Sequence, residues 1–171
     1  MYIFDTREKK NGHILKYFDK HGIEYKIQKL DVGDYALEDN PGIVIDRKQN
    51  LEECMSNLCL RQDKQRFMRE VRRAHDAGIH MVVLCEHGKD VNSIDDVKAW
   101  HSAYTRVPGS AVARTMQLLH RSYGIDFQFC DKRHTAQRII EILNEHSEKE
   151  LSENEHNSGI DKTSGNDGAS L

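Results

Sequence analysis

The chain has 171 residues, with 25 Lys+Arg against 28 Asp+Glu, 37% hydrophobic and 31% charged. These values suit one globular domain, and with only 2 Pro and 11 Gly they exclude collagen-like and proline-rich classes. No stretch reaches the roughly 18 apolar residues of a membrane span. The opening MYIFDTREKK turns charged by Asp5 without an apolar core, so no signal peptide is expected. Four Cys without CxxC spacing point to a disulfide-free intracellular protein, cytoplasmic in a prokaryotic or phage setting and nuclear in a eukaryote.

Strand-like and helix-like segments alternate along the chain. Tyr2-Ile3-Phe4 is a short apolar strand. Gly12 opens a helix with Ile14, Leu15 and Phe18 on one face, closed by Gly22. Tyr25 to Leu30 alternates apolar and polar residues, as a half-buried strand does. Tyr35-Ala36-Leu37 and Ile43-Val44-Ile45 are strands joined by Asp39-Asn40-Pro41-Gly42, a strong turn. Leu51 to Leu60 and Gln65 to Ala77 read as helices, the second stopped at Gly78. His80 to Glu86 is a buried strand. Ser93 begins a short helix with Asp95 and Asp96 in its first turn. Ser110 is expected to cap a helix through Tyr123, Asp126 to Cys130 forms the last strand, and Arg133 to His146 an amphipathic helix.

From Ser147 onward the composition changes to Ser, Gly, Asn and Glu. Six acids there face two bases, which leaves 23 bases against 22 acids in residues 1–146. Such a segment buries too little apolar surface to offset its ordering entropy, so a domain over 1–146 and a disordered acidic tail over 147–171 are expected.

Chemistry concentrates in LDVGDYALEDNPGIVIDRKQNLEE, residues 30–53. Asp46 and Lys48 are two apart on a strand and share a face. Asp34 and Asp46 lie symmetrically about the turn near Asn40, so a simple hairpin brings them together. Two carboxylates and a lysine on one face suit Mg²⁺, which takes hard oxygen ligands and keeps several waters. The residue types alone fit an exposed, solvated Asp–Lys hairpin equally well.

GDY at 33–35 followed by IVIDRK at 43–48 resembles the XPF-type endonuclease domain, with its GD…ERKxxxD signature. FDTRE at 4–8, Leu60-Arg61 with Gln65, and VPGSAVARTMQLLHRSYGIDFQF at 107–129 extend the similarity over about residues 1–145. The resemblance implies a restriction-endonuclease-like α/β fold: a mixed central sheet flanked by helices on both faces. It also implies metal-dependent hydrolysis of DNA phosphodiester bonds, of branched or structured DNA in repair or recombination. Asp34 and Asp46 match the catalytic metal ligands for Mg²⁺ or Mn²⁺, Lys48 the catalytic lysine, and Asp5 an assisting acid at the metal. Arg47 matches the motif arginine, structural or phosphate-facing, and Glu52 falls where the signature has its last Asp. Asp46 for the usual Glu shortens one ligand, and Glu52 for Asp lengthens another. No tandem helix-hairpin-helix module, common in the family, is expected within these residues. Pairing of nuclease domains, as homodimer or heterodimer, follows from the resemblance too. So does an alternative: a catalytically weak DNA-binding subunit that activates a partner.

Arg61 to Arg73, RQDKQRFMREVRR, holds six bases against Asp63 and Glu70. Phe67, Val71 and Ala74 form its buried stripe, leaving a basic face suited to a phosphate backbone. Arg61 and Arg66 are the candidate DNA contacts, with Lys9 close to Asp5. The 10 His show no HxxxH or HExxH pair, so structural zinc is not expected.

Overall fold

The computed structural model describes residues 1–88 and 90–145; the expected tail and His146 lie outside the described residues. The order is β1 (Tyr2–Phe4), α1 (Gly12–His21), β2 (Tyr25–Ile27), β3 (Tyr35–Leu37), β4 (Ile43–Lys48), α2 (Leu51–Cys59), α3 (Arg61–Asp76), β5 (His80–Glu86), α4 (Ile94–Val97), α5 (Gly109–Tyr123) and β6 (Asp126–Cys130). A single 3₁₀ turn at Lys132–His134 then leads into α6 (135–145). The strands form one six-stranded sheet in the order β2-β1-β3-β4-β5-β6. β3 pairs antiparallel with β1 and β4, whereas β1–β2, β4–β5 and β5–β6 are parallel. No described helix is long and apolar enough to cross a membrane.

The period-2 alternation of β4 and β5 divides the core. Val44, Met81, Val83 and Cys85 face one way, into a layer with Leu51, Leu58, Phe67, Val112 and Met116 from α2, α3 and α5. Ile43, Ile45, Val82 and Leu84 face the other way, against Ile14 and Phe18 of α1 and Ile139 and Leu143 of α6. Helices therefore cover both faces, as the resemblance implies. Each fully buried Leu, Ile or Phe here contributes roughly 1.5–3 kcal/mol through its removal from water.

Several boundaries differ from the sequence reading, β4 for one running on to Lys48. β2 stops at Ile27, and the following chain is drawn off the sheet by Leu30 N–H, which donates to the Asp5 carboxylate at 2.7 Å. α3 starts a turn early, at Arg61, where Asp63 in its first turn accepts the Ser56 hydroxyl. The N-cap of α5 is Pro108, with no side-chain cap bond, so Ser110 does not cap it. Gly109 opens that helix because a Cβ there would sit 2.1 Å from the Val97 carbonyl oxygen and 2.4 Å from that of Trp100. The last helix starts at 135, after the 3₁₀ turn.

Candidate active site

The β3–β4 hairpin is registered by Tyr35 opposite Ile45 and Ala36 opposite Val44, which carries Asp34 to Asp46 as its symmetry predicts. Gly33 makes the entry turn with φ +74°, where a Cβ would fall 2.9 Å from Val44 Cβ. Its N–H donates to Glu70 Oε1 of α3 at 2.9 Å. Asp34 is then fixed from three directions. Its N–H donates to Ile45 O at 2.7 Å, its carbonyl accepts Asp5 N–H at 2.8 Å, and its Oδ2 accepts Arg47 N–H at 2.8 Å. On β4, the Lys48 ammonium lies 2.9 Å from Asp46 Oδ1 and 2.7 Å from Oδ2. Both residues are buried, at 5% and 6% exposure, and the ammonium stands 5.1 Å from the Phe67 ring centre. This overturns the solvated-hairpin alternative.

Burial, the Asp46 carboxylate and the Glu8 carboxylate push the Asp34 carboxyl well above the usual carboxylate range, against the opposing pull of Lys48. Burial disfavours the Lys48 ammonium, yet Asp46 and then Asp34 hold its pKa above the ordinary lysine value. The site thus strains to hold its negative charge with one lysine. Asp46 Oδ2 is buried and, among the described residues, receives no well-directed hydrogen bond despite the nearby ammonium. These groups open on a cleft of about 410 Å³ whose other walls bring Glu53, Glu70, Arg66, Arg69 and Arg73. No group of three or more His, Cys, Asp or Glu converges as a ready metal cage among the described residues. Two carboxylate donors fit Mg²⁺ or Mn²⁺ nonetheless, because such an ion is commonly held by one or two carboxylates, with water and substrate phosphate completing its shell.

Residues 4–143 match the ERCC4 domain. The chain belongs to the ERCC4 domain family. The fold is similar to two solved structures, XPF from Aeropyrum pernix (TM-score 0.62, 17% identity) and XPF from Aeropyrum pernix in complex with DNA (TM-score 0.63, 17% identity). The aligned parts cover 84% and 86% of this chain and 65% of each of those chains, so this chain spans just under two thirds of their length. Among curated proteins none matches.

Within this ERCC4 domain the sequence candidates separate. Asp34, Asp46, Arg47, Lys48 and Arg66 all border the cleft. Asp5 does not line it. Its buried carboxylate accepts Arg7 N–H at 2.6 Å, Arg7 Nε and Nη2 at 2.8 and 3.0 Å, and Leu30 N–H at 2.7 Å. Burial works against that carboxylate, but the Arg7 side chain and these backbone donors hold it below its usual range. Asp5 is thus a clamp between β1 and the chain before Gly33, and Glu8 is the acid that reaches the cleft from this segment. Glu52 is also diverted: Oε2 accepts Ser102 Oγ and Oε1 accepts Ala103 N–H, each at 2.7 Å. The next residue, Glu53, lines the cleft, its Oε2 accepting Gln49 N–H at 2.8 Å. The Arg47 side chain is 1% exposed, pairs with Glu8 and with Glu86 at 3.1 Å, and donates to Lys10 O at 3.2 Å. Burial opposes its charge, but Glu8 beside it raises its pKa further; although Arg47 borders the cleft, its guanidinium is engaged by Glu8, Glu86 and the Lys10 carbonyl. Lys9 is exposed and outside the cleft, and Arg61 lines a neighbouring groove with Lys64, Met68 and Arg72.

Glu8, Glu53 and Glu70 were not singled out by the sequence reading, which placed Arg69 and Arg73 on the outward basic face of the helix without assigning them to DNA. Arg69 and Arg73 carried a signal, since with Arg66 they recur at three- and four-residue spacing on one face of α3. Glu70 gave none: its partner Gly33 lies 37 residues away.

Proposed function

We propose that this ERCC4 domain is a divalent-metal-dependent DNA endonuclease that hydrolyses phosphodiester bonds of branched or structured DNA, in repair or recombination. The observation that carries the reading is the buried Asp46–Lys48 pair beside an Asp34 carboxyl whose charge is resisted, at the floor of a cleft rimmed by Arg66, Arg69 and Arg73. An excess of buried negative charge costs stability unless a cation joins it, and such perturbed acids cluster at functional sites. Asp34 and Asp46 are the residues to hold Mg²⁺ or Mn²⁺, which when bound polarises the scissile phosphate and lowers the pKa of the attacking water.

The remaining work falls to the chain's own side chains. Lys48 holds a positive charge beside Asp46, where negative charge builds on phosphate oxygens during attack. Arg66, Arg69 and Arg73 neutralise backbone phosphates without reading sequence. Glu70, itself in the cleft wall, holds the Gly33-Asp34 turn through the Gly33 N–H, so that Asp34 presents its carboxylate toward Asp46.

The test is cleavage of labelled branched and linear DNAs with Mg²⁺ or Mn²⁺, run on wild type and Asp34→Asn. Cutting that needs both the metal and Asp34 supports the reading. Full activity in Asp34→Asn with unchanged metal dependence overturns it. The alternative is a catalytically weak DNA-binding subunit that activates a partner. It predicts DNA binding without cutting under every metal condition.

A further inference from the structure

Residues 97–125 contain no Asp or Glu, although an even spread of 28 acids over 171 residues would put about five there. Lys98, Arg106, Arg114 and Arg121 give the stretch four positive charges. It includes the 99–108 loop, whose Tyr104 is 85% exposed, more than any other large apolar side chain among the described residues. Arg106, two residues on, is exposed as well.

The loop is held firmly. Ser102 Oγ donates to Glu52 and accepts N–H bonds from Tyr104 at 3.1 Å and Thr105 at 3.0 Å. Ala103 N–H donates to the other Glu52 oxygen, Thr105 Oγ1 lies 3.9 Å from Met55 Sδ, and Gly109 N–H closes the base on Trp100 O at 3.1 Å. Glu52 belongs to the same turn of α2 that sends Glu53 into the cleft. The loop backbone is thus fastened to the wall of the cleft, with the Tyr104 ring held out into water. A loop ordered in advance loses little backbone freedom when its side chain binds.

We propose that the 99–108 loop is a second nucleic-acid contact, outside the cleft, in which Tyr104 stacks on an unpaired base and Arg106 neutralises the adjoining phosphate. The proposal rests on the DNA-cleaving reading above. Three features argue for this occupant. The stretch has no acid of its own, and although Glu52 sits at the base of the loop and Asp95 pairs with Lys98, Arg106, Arg114 and Arg121 leave it positive, which attracts a polyanion. The other exposed large apolar side chains among the described residues, Met1, Ile27, Leu60 and Leu118, lie before β1, on β2, between α2 and α3, and on α5, so Tyr104 is not part of one continuous apolar patch on this loop. A base offers its π-face only when unstacked, and an aromatic ring binds that face whatever the base.

The experiment uses the full chain without divalent cation, titrated with a fluorescein-labelled oligo(dT) of about 20 nucleotides and with a blunt duplex of the same length. Tyr104→Ala should weaken oligo(dT) binding on the order of tenfold and duplex binding by less than about twofold. Tyr104→Trp should retain oligo(dT) affinity, and Arg106→Ala should flatten its salt dependence by about one unit of slope. Melting temperatures unchanged from wild type establish that every variant is folded, as expected for exposed positions. Equal oligo(dT) affinity in Tyr104→Ala, or loss in Tyr104→Trp as large as in Tyr104→Ala, overturns the proposal; the first result would leave the ring to a protein contact. A chain that cuts DNA but binds oligo(dT) independently of Tyr104 refutes only the loop. A chain that never cuts, yet binds oligo(dT) through Tyr104, refutes only the nuclease reading.

Discussion

Replacing Lys48 by Met keeps an unbranched aliphatic stem and removes the charge that stands beside Asp46 and 5.1 Å from the Phe67 ring centre. The Lys48 and Asp46 side chains are 8% and 7% exposed and 2.7 Å apart, so little water can take the place of the lost ammonium. Breaking a buried pair from one side costs about 3–5 kcal/mol, because the remaining charge is left uncompensated. Here the cost is compounded by Asp34, whose charge already resists Asp46. For a domain of this size each kcal/mol lowers the melting temperature by roughly 2–4 °C, so Lys48→Met should melt about 6–20 °C below wild type without divalent ions. Saturating Mn²⁺ should restore more of that loss than it adds to wild type, since a cation bound only by the folded state stabilises it by mass action. Single-turnover cleavage should fall by about 10²-fold or more, the scale for one well-placed electrostatic stabiliser. The assay is differential scanning fluorimetry with and without Mn²⁺, followed by cleavage of one pre-bound DNA. A variant that melts within about 2 °C of wild type in both conditions would refute the claim that this pair is buried and charged.

Asp34→Asn reads the opposite sign. A folded-state pKa above the unfolded value means that ionising Asp34 costs folding free energy, a cost that is absent below about pH 3.9 and grows as pH rises through the folded value. Without metal, the variant should therefore melt above wild type at pH 7.5, and the gap should close as pH approaches 4; a variant less stable than wild type at pH 7.5 contradicts this. Gly33→Ala places a Cβ 2.9 Å from Val44 Cβ at a positive φ, and should cost about 1–3 kcal/mol by chemical denaturation while misplacing Asp34. Glu70→Gln keeps an acceptor for Gly33 N–H and should retain most activity, whereas Glu70→Ala should lower kcat with little change in KM; equal loss in both would point to charge and not positioning. Arg66→Ala should flatten the salt dependence of DNA binding by about one unit of slope, while Arg61→Ala, outside the cleft, should change it less.

What could be read from residue order was what short-range geometry dictates. Strand alternation put Lys48 with Asp46, and the turn at Asp39 to Gly42 paired Asp34 with Asp46. The helix stripe of Phe67, Val71 and Ala74 set the basic face outward, and all three are buried. The errors came where one residue of helical rotation, or a distant partner, decides. Glu52 and Glu53 differ by about 100° around α2, and only the tertiary contact with Ser102 and Ala103 shows which one leaves the cleft. Arg47 was readable as facing away from Lys48, but its partner Glu86 comes from another strand and draws in His13 at 2.7 Å. Asp5 has a local cause in Arg7, which a closer look at FDTRE could have weighed, and a remote one in Leu30.

β4 is a strand in two phases. Its even-numbered residues carry Asp46 and Lys48 toward Phe67 and the cleft, and its odd-numbered residues carry Arg47 toward Glu86. A shift of one residue in pairing exchanges the phases. Deleting a single residue between Ile43 and Asp46 would carry the Asp46–Lys48 pair together toward Phe4 and Ile14, away from the cleft, and a guanidinium toward Phe67. Point changes along this strand therefore alter one contact each, while a one-residue change in its length inverts every contact at once. Tolerated length changes in related chains should fall outside Ile43–Lys48, in the turn at 38–42 and in the stretch between β5 and α4.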